Sequence, residues 1–463
     1  MKVKKILGVF ALTMINVAAI ISLKTFPIMA TYGLASAFFY CLAAMTYLIP
    51  AALVCAELST TLPQAGGEFR WISVSLNPKW GFLAIWWAWM GAIAFFPIIL
   101  TFTASMLAYV AHHPEWTQQK PILIGMMLAL FWGTTLLNCL GIAVSSRISS
   151  LGSLLGTIIP GALIIALAAF WISQGHPIHL TWSWEALMPE FQWQGWVFYV
   201  GVMLGFVGVE VAAYHANDAK NPRQDYPTAI FLSVGIILAL CIAGTLGIAL
   251  VVPNEDIHLI EGLMQTYQVF LNHFHLTPWI FVLAFLIAVG GWACASTWII
   301  GPLKGLISAT EYGFIPKWLT QKNRFGAPQN GLLIQAAIGT VLASALLIMP
   351  DIEMAYWMMI VLSAQLALMM YISMFIAAIW LRISKPNLNR PYKIPGGLPG
   401  IVGVGGIGIL SCLFAFFIGF VPPNFLNVDE FWWYEGYLLL SLGVLTLPAI
   451  VFIINPLKRK ATP

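Results

Sequence analysis

The sequence predicts an all-α integral membrane protein of twelve transmembrane helices, on three observations. First, 60% of the 463 residues are hydrophobic and only 8% are charged. A soluble domain carries roughly 25% charged residues. Too few polar side chains remain to cover a water-facing surface, so lipid is the main outer solvent. Second, apolar stretches near the roughly 20 residues that cross a bilayer core recur along the whole chain. Third, the basic residues collect in alternate loops, the pattern of a multi-pass protein with one face in the cytoplasm.

The spans run in order. Span one, 6–32, follows a basic start and passes through Lys24. A signal peptide also begins in this way, but the apolar run continues to Tyr32, too far for a signal h-region. Span two, 34–60, runs into Pro63 and the Gly66-Gly67 pair, which end a helix and allow close backbone packing. Spans three to five cover 80–110, 121–144 and 148–173. Span six, 194–216, contains Gly205, Gly208 and Glu210, and span seven covers 228–252. Spans eight to twelve cover 278–310, 331–349, 353–381, 400–421 and 432–455. Spans one, three, eight and ten are longer than a bilayer needs, which implies tilt or extension beyond the lipid. No linker sets off a soluble domain.

With the N-terminus placed in the cytoplasm, all of the 21 Lys and Arg residues fall on inner loops and termini except Lys120, Lys24 and Lys304. The expected location is the plasma (inner) membrane, with both termini cytoplasmic. The outer loops take most of the acids and all of the 8 histidines except His215. Histidine titrates near neutrality, so that face either senses acid or is an ordinary solvated surface. His215 reads as a structural residue at the inner end of span six.

Several function classes are disfavoured. The 6 cysteines lie in apolar segments without a CxxC pair, and they read as small buried hydrophobes. No zinc motif, phosphate-binding loop or nucleophile elbow is present, and no cofactor is expected. The Trp-rich stretches interleave with apolar rather than basic residues, so nucleic acid is not expected as a partner. A channel calls for a ring of charges or carbonyls along a pore. A polytopic membrane enzyme calls for clustered His, Asp or Glu at one depth. The chain instead places two charges, Lys24 and Glu210, in the middle of long apolar stretches. A charge in lipid costs kilocalories and marks a functional position.

Four segments carry a family resemblance. Span two ends in Ala56-Glu57-Leu58-Ser59, followed by Pro63 and Gly66-Gly67-Glu68-Phe69-Arg70-Trp71. Span six reads Gly205-Phe206-Val207-Gly208-Val209-Glu210, followed by Asn221-Pro222-Arg223 and Tyr226-Pro227. Span eight contains Trp298-Ile299-Ile300-Gly301-Pro302, and the loop after span ten reads Arg390-Pro391-Tyr392-Lys393-Ile394-Pro395-Gly396-Gly397. In this order and spacing they resemble the amino-acid/polyamine/organocation (APC) permeases, closest to the glutamate/GABA antiporter branch. The resemblance runs from span one to span twelve.

That resemblance implies two inverted five-helix repeats, residues 1–173 and 194–381, with two peripheral helices in 400–455. Spans one and six would break near the bilayer midplane. Such breaks bare N–H and C=O groups that bind a zwitterion. The span-six break fits Gly205 and Gly208, which packing alone also explains. Span one lacks the family's glycines and offers only Ser22 and Pro27 near Lys24. The implied substrate site is Ile21, Ser22, Leu23 and Lys24 on span one, Gly205, Phe206, Val207 and Gly208 on span six, and Trp298 and Tyr371 opposite. Each of the two aromatic residues also suits plain packing.

Lys24 stands where the exchangers carry a tyrosine. It binds a substrate carboxylate, carries a coupling proton, or snorkels to the outer face. Glu210 matches the family's acid on the second half of span six, linked there to pH sensing or coupling; a structural hydrogen bond is the alternative. Cys294 replaces a glutamate, Ala367 one of two tyrosines and Leu204 an aromatic gate, while Phe69 stands for a tyrosine. The exchanges at Lys24 and Cys294 make the pocket more positive. Span five, with Arg147, Ser149, Ser150, Ser153 and Thr157, has no lysine in place of a sodium ion.

The sequence therefore points to a secondary transporter of a small amino acid, working by alternating access without covalent chemistry. Antiport is expected, with proton- or sodium-coupled symport as the alternative. The lipid bilayer is the expected surrounding, and the chain is expected as a monomer or homodimer.

Overall fold

The computed structural model describes residues 8–62, 67–140, 152, 154–189, 192–210, 221–349, 351–423 and 431–456. Pro63 to Gly66, Arg147, Ser149, Ser150, Ser153, His215 and the Asn217 to Lys220 stretch lie outside them. All regular structure among the described residues is helical. Among the described residues, nine helices are long and apolar enough to cross a membrane. The other three expected spans correspond to two interrupted helices and to a helix at Gln329–Ile348.

The first interrupted helix comprises α1 (Val9–Ile20) and α2 (Thr25–Ala30). α3 (Ala35–Thr61) follows, with a π turn at Ala44–Leu48. Pro50 sits just beyond that turn and has no N–H to offer the preceding carbonyls, so the helix widens there. The same arrangement recurs in α7 (Leu154–Ser173), where a π turn at Leu154–Ile158 precedes Pro160. Between them lie α4 (Gly67–Ser75), α5 (Pro78–Val110) and α6 (Lys120–Cys139).

α5 is 33 residues long, about 50 Å at the helical rise, against a hydrocarbon core of roughly 30 Å. It starts where the Asn77 side chain accepts from the Trp80 N–H at 3.0 Å, an N-cap bond. The chain goes on through α8 (Tyr199–Gly205), α9 (Pro222–Val251), α10 (Gly262–His273) and α11 (Ile280–Ile307). Four long helices close it: α12 (Gln329–Ile348), α13 (Ile352–Ser384), α14 (Gly397–Ile418) and α15 (Phe431–Ile454).

α5 is the central strut. A Cβ on Gly91 of α5 would lie 3.3 Å from Leu366 Cβ on α13, and a Cβ on Gly291 of α11 would lie 2.3 Å from Thr103 Oγ1 on α5. Small residues thus let the helix backbones approach, as in other membrane bundles. Polar side chains then join neighbours. Trp89 donates to Gln335 at 2.7 Å, Gln335 to the Ile299 carbonyl at 3.1 Å, and Ser363 to the Gly91 carbonyl at 2.9 Å.

α10 was not anticipated. It lies in the polar stretch between two spans, and its Leu263, Met264, Tyr267, Phe270 and Leu271 are buried. That spacing follows one helical face, a signal that a search for long apolar runs passes over.

Candidate functional site

α1 ends at Ile20 and α2 begins at Thr25, so the first interruption covers Ile21, Ser22, Leu23 and Lys24. These are the four span-one residues expected at the substrate site, although no glycine opens the helix. Ile21 takes an extended conformation, with φ −68° and ψ 125°. The Thr25 hydroxyl then donates to the Ser22 carbonyl at 2.8 Å, and the Phe26 N–H bonds the Leu23 carbonyl at 3.2 Å. The N–H groups of Ser22, Leu23 and Lys24 make no backbone hydrogen bond among the described residues. Buried backbone groups need partners, so these N–H groups are available to a polar partner.

The second interruption falls at Phe206, Val207 and Gly208, between α8 and the helix that resumes at Val209. Val207 still bonds back to the Leu204 carbonyl at 3.2 Å. Gly208 has a φ of 119°, a conformation open to glycine and strained for other residues. The two interruptions adjoin, because a Cβ on Gly205 would lie 3.5 Å from Thr25 Cγ2. Ser22, Gly205, Val207 and Trp298 keep part of their surface accessible, whereas Leu23, Lys24, Phe206 and Gly208 are buried.

The expected site residues fall into two groups. Lys24 heads the first. It is 1% exposed, so the side chain does not snorkel to a membrane face. Its ammonium lies 4.6 Å from the centroid of the Phe95 ring on α5. Phe95 packs on Trp298 of α11, with ring centroids 5.8 Å apart. Cys294, one turn earlier on α11, lies within electrostatic reach of the ammonium. Among the described residues no carboxylate pairs with Lys24. A desolvated cation–π contact contributes about 2 kcal/mol, while burying an ion costs several. The ring therefore offsets only part of the cost, and the ammonium is left able to receive an anion.

Glu210 heads the second group and is 4% exposed. The Tyr371 hydroxyl of α13 donates to its carboxylate and accepts from the Gly208 N–H at 3.2 Å. The Tyr371 ring meets Tyr47 of α3 edge to face at 5.1 Å. Tyr371, expected at the substrate site, has its hydroxyl engaged with the resumed half-helix. Ala367 and Leu204, two of the departures noted above, are both buried.

Sequence reading missed Phe95, an ordinary apolar residue among many. It also missed that two of the quoted motifs form one cluster. The Glu57 carboxylate accepts from Arg382 Nε at 2.9 Å, from a terminal nitrogen of Arg382, and from the Ile394 N–H at 2.8 Å. Arg390 Nε lies 3.3 Å from the same carboxylate. Arg390 also donates to the carbonyls of Leu381 and Lys385 at 3.0 and 2.9 Å. The end of α3, the end of α13 and the following loop are thereby joined by a buried ionic cluster.

At the histidine-rich end, Glu261 accepts from Tyr109, Thr117 and Gln118 at 3.1, 3.0 and 2.8 Å, which fastens the start of α10. His258 Nδ1 lies 3.3 Å from Glu353 Oε1. The hydrogen bond to that carboxylate raises the His258 pKa above its ordinary value. The end of α10 rests on a second contact, His273 Nε2 to His176 Nε2 at 3.0 Å.

A family model described as an amino acid permease matches residues 7–443. The chain is similar to an uncharacterized transporter of Legionella pneumophila, 40% identical over 438 residues and covering 94% of each chain. It is similar to a glutamate/gamma-aminobutyrate antiporter of Lactococcus lactis, 32% identical over 451 residues, with 96% of this chain and 89% of the relative covered. The crystal structure of MhsT in complex with L-phenylalanine shares the fold, with a TM-score of 0.58 at 12% identity over 88% of this chain and 98% of that one.

Proposed function

This chain belongs to the amino acid permease family, and from that premise we propose that it exchanges one small amino acid for another by alternating access, as a glutamate/gamma-aminobutyrate antiporter does. The observation that carries this reading is the pair of adjoining helix interruptions with a buried ammonium at one of them. The unbonded N–H groups of Ser22, Leu23 and Lys24 and the Lys24 ammonium suit a carboxylate. Trp298 packs on Phe95 and would add an apolar wall. In this reading Glu210, held by Tyr371 next to the second interruption, takes up or releases a proton as the half-helices move.

In this reading residues 1–173 and 194–381 form the two inverted repeats, and 400–455 are peripheral. Both termini are cytoplasmic in the plasma membrane, which agrees with the basic loops. No bond of the substrate is made or broken.

The test is a thermal-shift screen of the purified protein against all amino acids and their decarboxylation products at pH 5 and pH 7. Stabilisation by acidic amino acids and by gamma-aminobutyrate supports the reading. Stabilisation by carboxylate-free decarboxylation products alone, with none from any amino acid, removes the carboxylate role from Lys24.

A further inference from the structure

We propose that Lys24 is the residue that makes exchange obligatory, because the empty carrier cannot close over its ammonium as readily as the loaded one. The inference rests on the carboxylate-binding role given to Lys24 above and extends it to the coupling mode.

The argument begins with burial. Lys24 is 1% exposed, and its ammonium has the Phe95 ring at 4.6 Å as its counterpart. Among the described residues no carboxylate stands beside it. An ammonium shut away from water without an anion is costly. Alternating access requires a closed state on every crossing. When the site opens to either side, water reaches Lys24 and the cost falls. When it closes with substrate inside, the substrate carboxylate is the anion. When it closes empty, the Phe95 ring is the partial counterpart of the charge among the described residues. The barrier to the empty crossing is raised relative to the loaded one, and the carrier returns mainly with a second amino acid aboard. A glutamate and a gamma-aminobutyrate each bring a carboxylate, so both directions of such an exchange satisfy Lys24.

Phe95 has a distinct part in this. Its ring is the partial counter-charge of the empty closed state, and a substrate carboxylate makes it dispensable. Removing the charge and removing the ring should therefore shift the coupling in opposite directions.

The experiment compares two fluxes from the same liposomes at saturating internal substrate. One is efflux into medium containing unlabelled substrate, and the other is efflux into medium without it. Wild type is expected to run the first at least about tenfold faster, a barrier difference of about 1.4 kcal/mol. Lys24→Gln should bring the ratio close to one, Lys24→Arg should keep it high, and Phe95→Leu should raise it further. An unchanged ratio in Lys24→Gln overturns the proposal, and where a folded Lys24→Gln protein carries neither flux the decision passes to Phe95→Leu. Should Lys24→Gln fail to fold, Phe95→Leu decides: a higher ratio supports the proposal, and an equal or lower one overturns it. Failure of the proposed function looks different, because wild type itself would then show no exchange.

Discussion

Tyr371 and Glu210 share one hydrogen-bond relay: the tyrosine hydroxyl donates to the carboxylate and accepts from the Gly208 N–H at 3.2 Å. The acid is thereby tied to the edge of the second helix interruption. A change in its charge alters the bond that holds Gly208 in place. This is a physical route from protonation to the geometry of the site. Glu210→Gln keeps the shape and removes the charge, so the variant should transport at neutral pH within several-fold of wild type but lose its pH dependence. Uptake measured from pH 5 to pH 8 checks this, and a wild-type pH profile in the variant would count against a coupling role for Glu210.

Gly208 is the conformational half of the same relay. At a φ of 119° any side chain adds strain of about 1–3 kcal/mol. Gly208→Ala should lower the unfolding temperature and slow transport at least tenfold. Gly205→Ala is expected to be milder, because a Cβ there meets Thr25 Cγ2 at an ordinary 3.5 Å. Comparing the two by thermal unfolding and uptake separates conformational strain from crowding.

Between α7 and α11 the constraint is close approach. A Cβ on Gly156 would lie 2.2 Å from the Leu286 carbonyl, and one on Gly290 would lie 2.4 Å from the Gly156 carbonyl. No flexible side chain is there to give way. Gly290→Ala should destabilise by about 1–3 kcal/mol through overpacking. Gly133→Ala has open space around it and serves as the control, with no loss of unfolding temperature.

The Glu57 cluster predicts non-additivity. Glu57 and Arg382 side chains are 4% and 6% exposed. Removing one partner of a buried pair leaves an uncompensated charge at a cost of about 3–5 kcal/mol. Arg382→Met or Glu57→Gln alone should each be strongly destabilising. The double variant should be less destabilised than the sum of the two. Thermal unfolding of all four proteins closes that cycle, and simple additivity would contradict a direct interaction.

His258 predicts a small pH effect on stability. The Glu353 carboxylate raises its pKa in the folded protein. A raised pKa means that the folded state favours the protonated form. The stabilisation is therefore fully present below the unfolded value, about 6.5, and is lost as pH rises through the folded value. The pair is substantially exposed, at 47% and 29%, so solvent screening holds it to well under about 1 kcal/mol. His258→Ala should unfold at a slightly lower temperature than wild type at pH 5.5 and at the same temperature at pH 8.5.

Different parts of this structure were legible to different degrees. Long apolar runs and the asymmetry of basic loops marked the spans, since lipid leaves the backbone few other choices. The span-six interruption was written in Gly205 and Gly208. The span-one interruption was not written in glycine. It opens at Ile21 and Ser22, where propensity signals little; the resemblance implied a break in span one but did not fix its position. Phe95 was invisible because its role depends on which ring of α5 faces Lys24, a matter of helix rotation. Glu57 and Arg390 were visible as motifs, but their contact joins residues more than 300 positions apart, which no local pattern encodes.

The central claim is amino-acid antiport, and one flux tests it most directly. Liposomes holding the protein are loaded either with unlabelled gamma-aminobutyrate or with buffer alone, and labelled glutamate is supplied outside. Antiport predicts uptake into the loaded vesicles at least about tenfold faster, about 1.4 kcal/mol in barrier. Equal uptake into loaded and empty vesicles would contradict it.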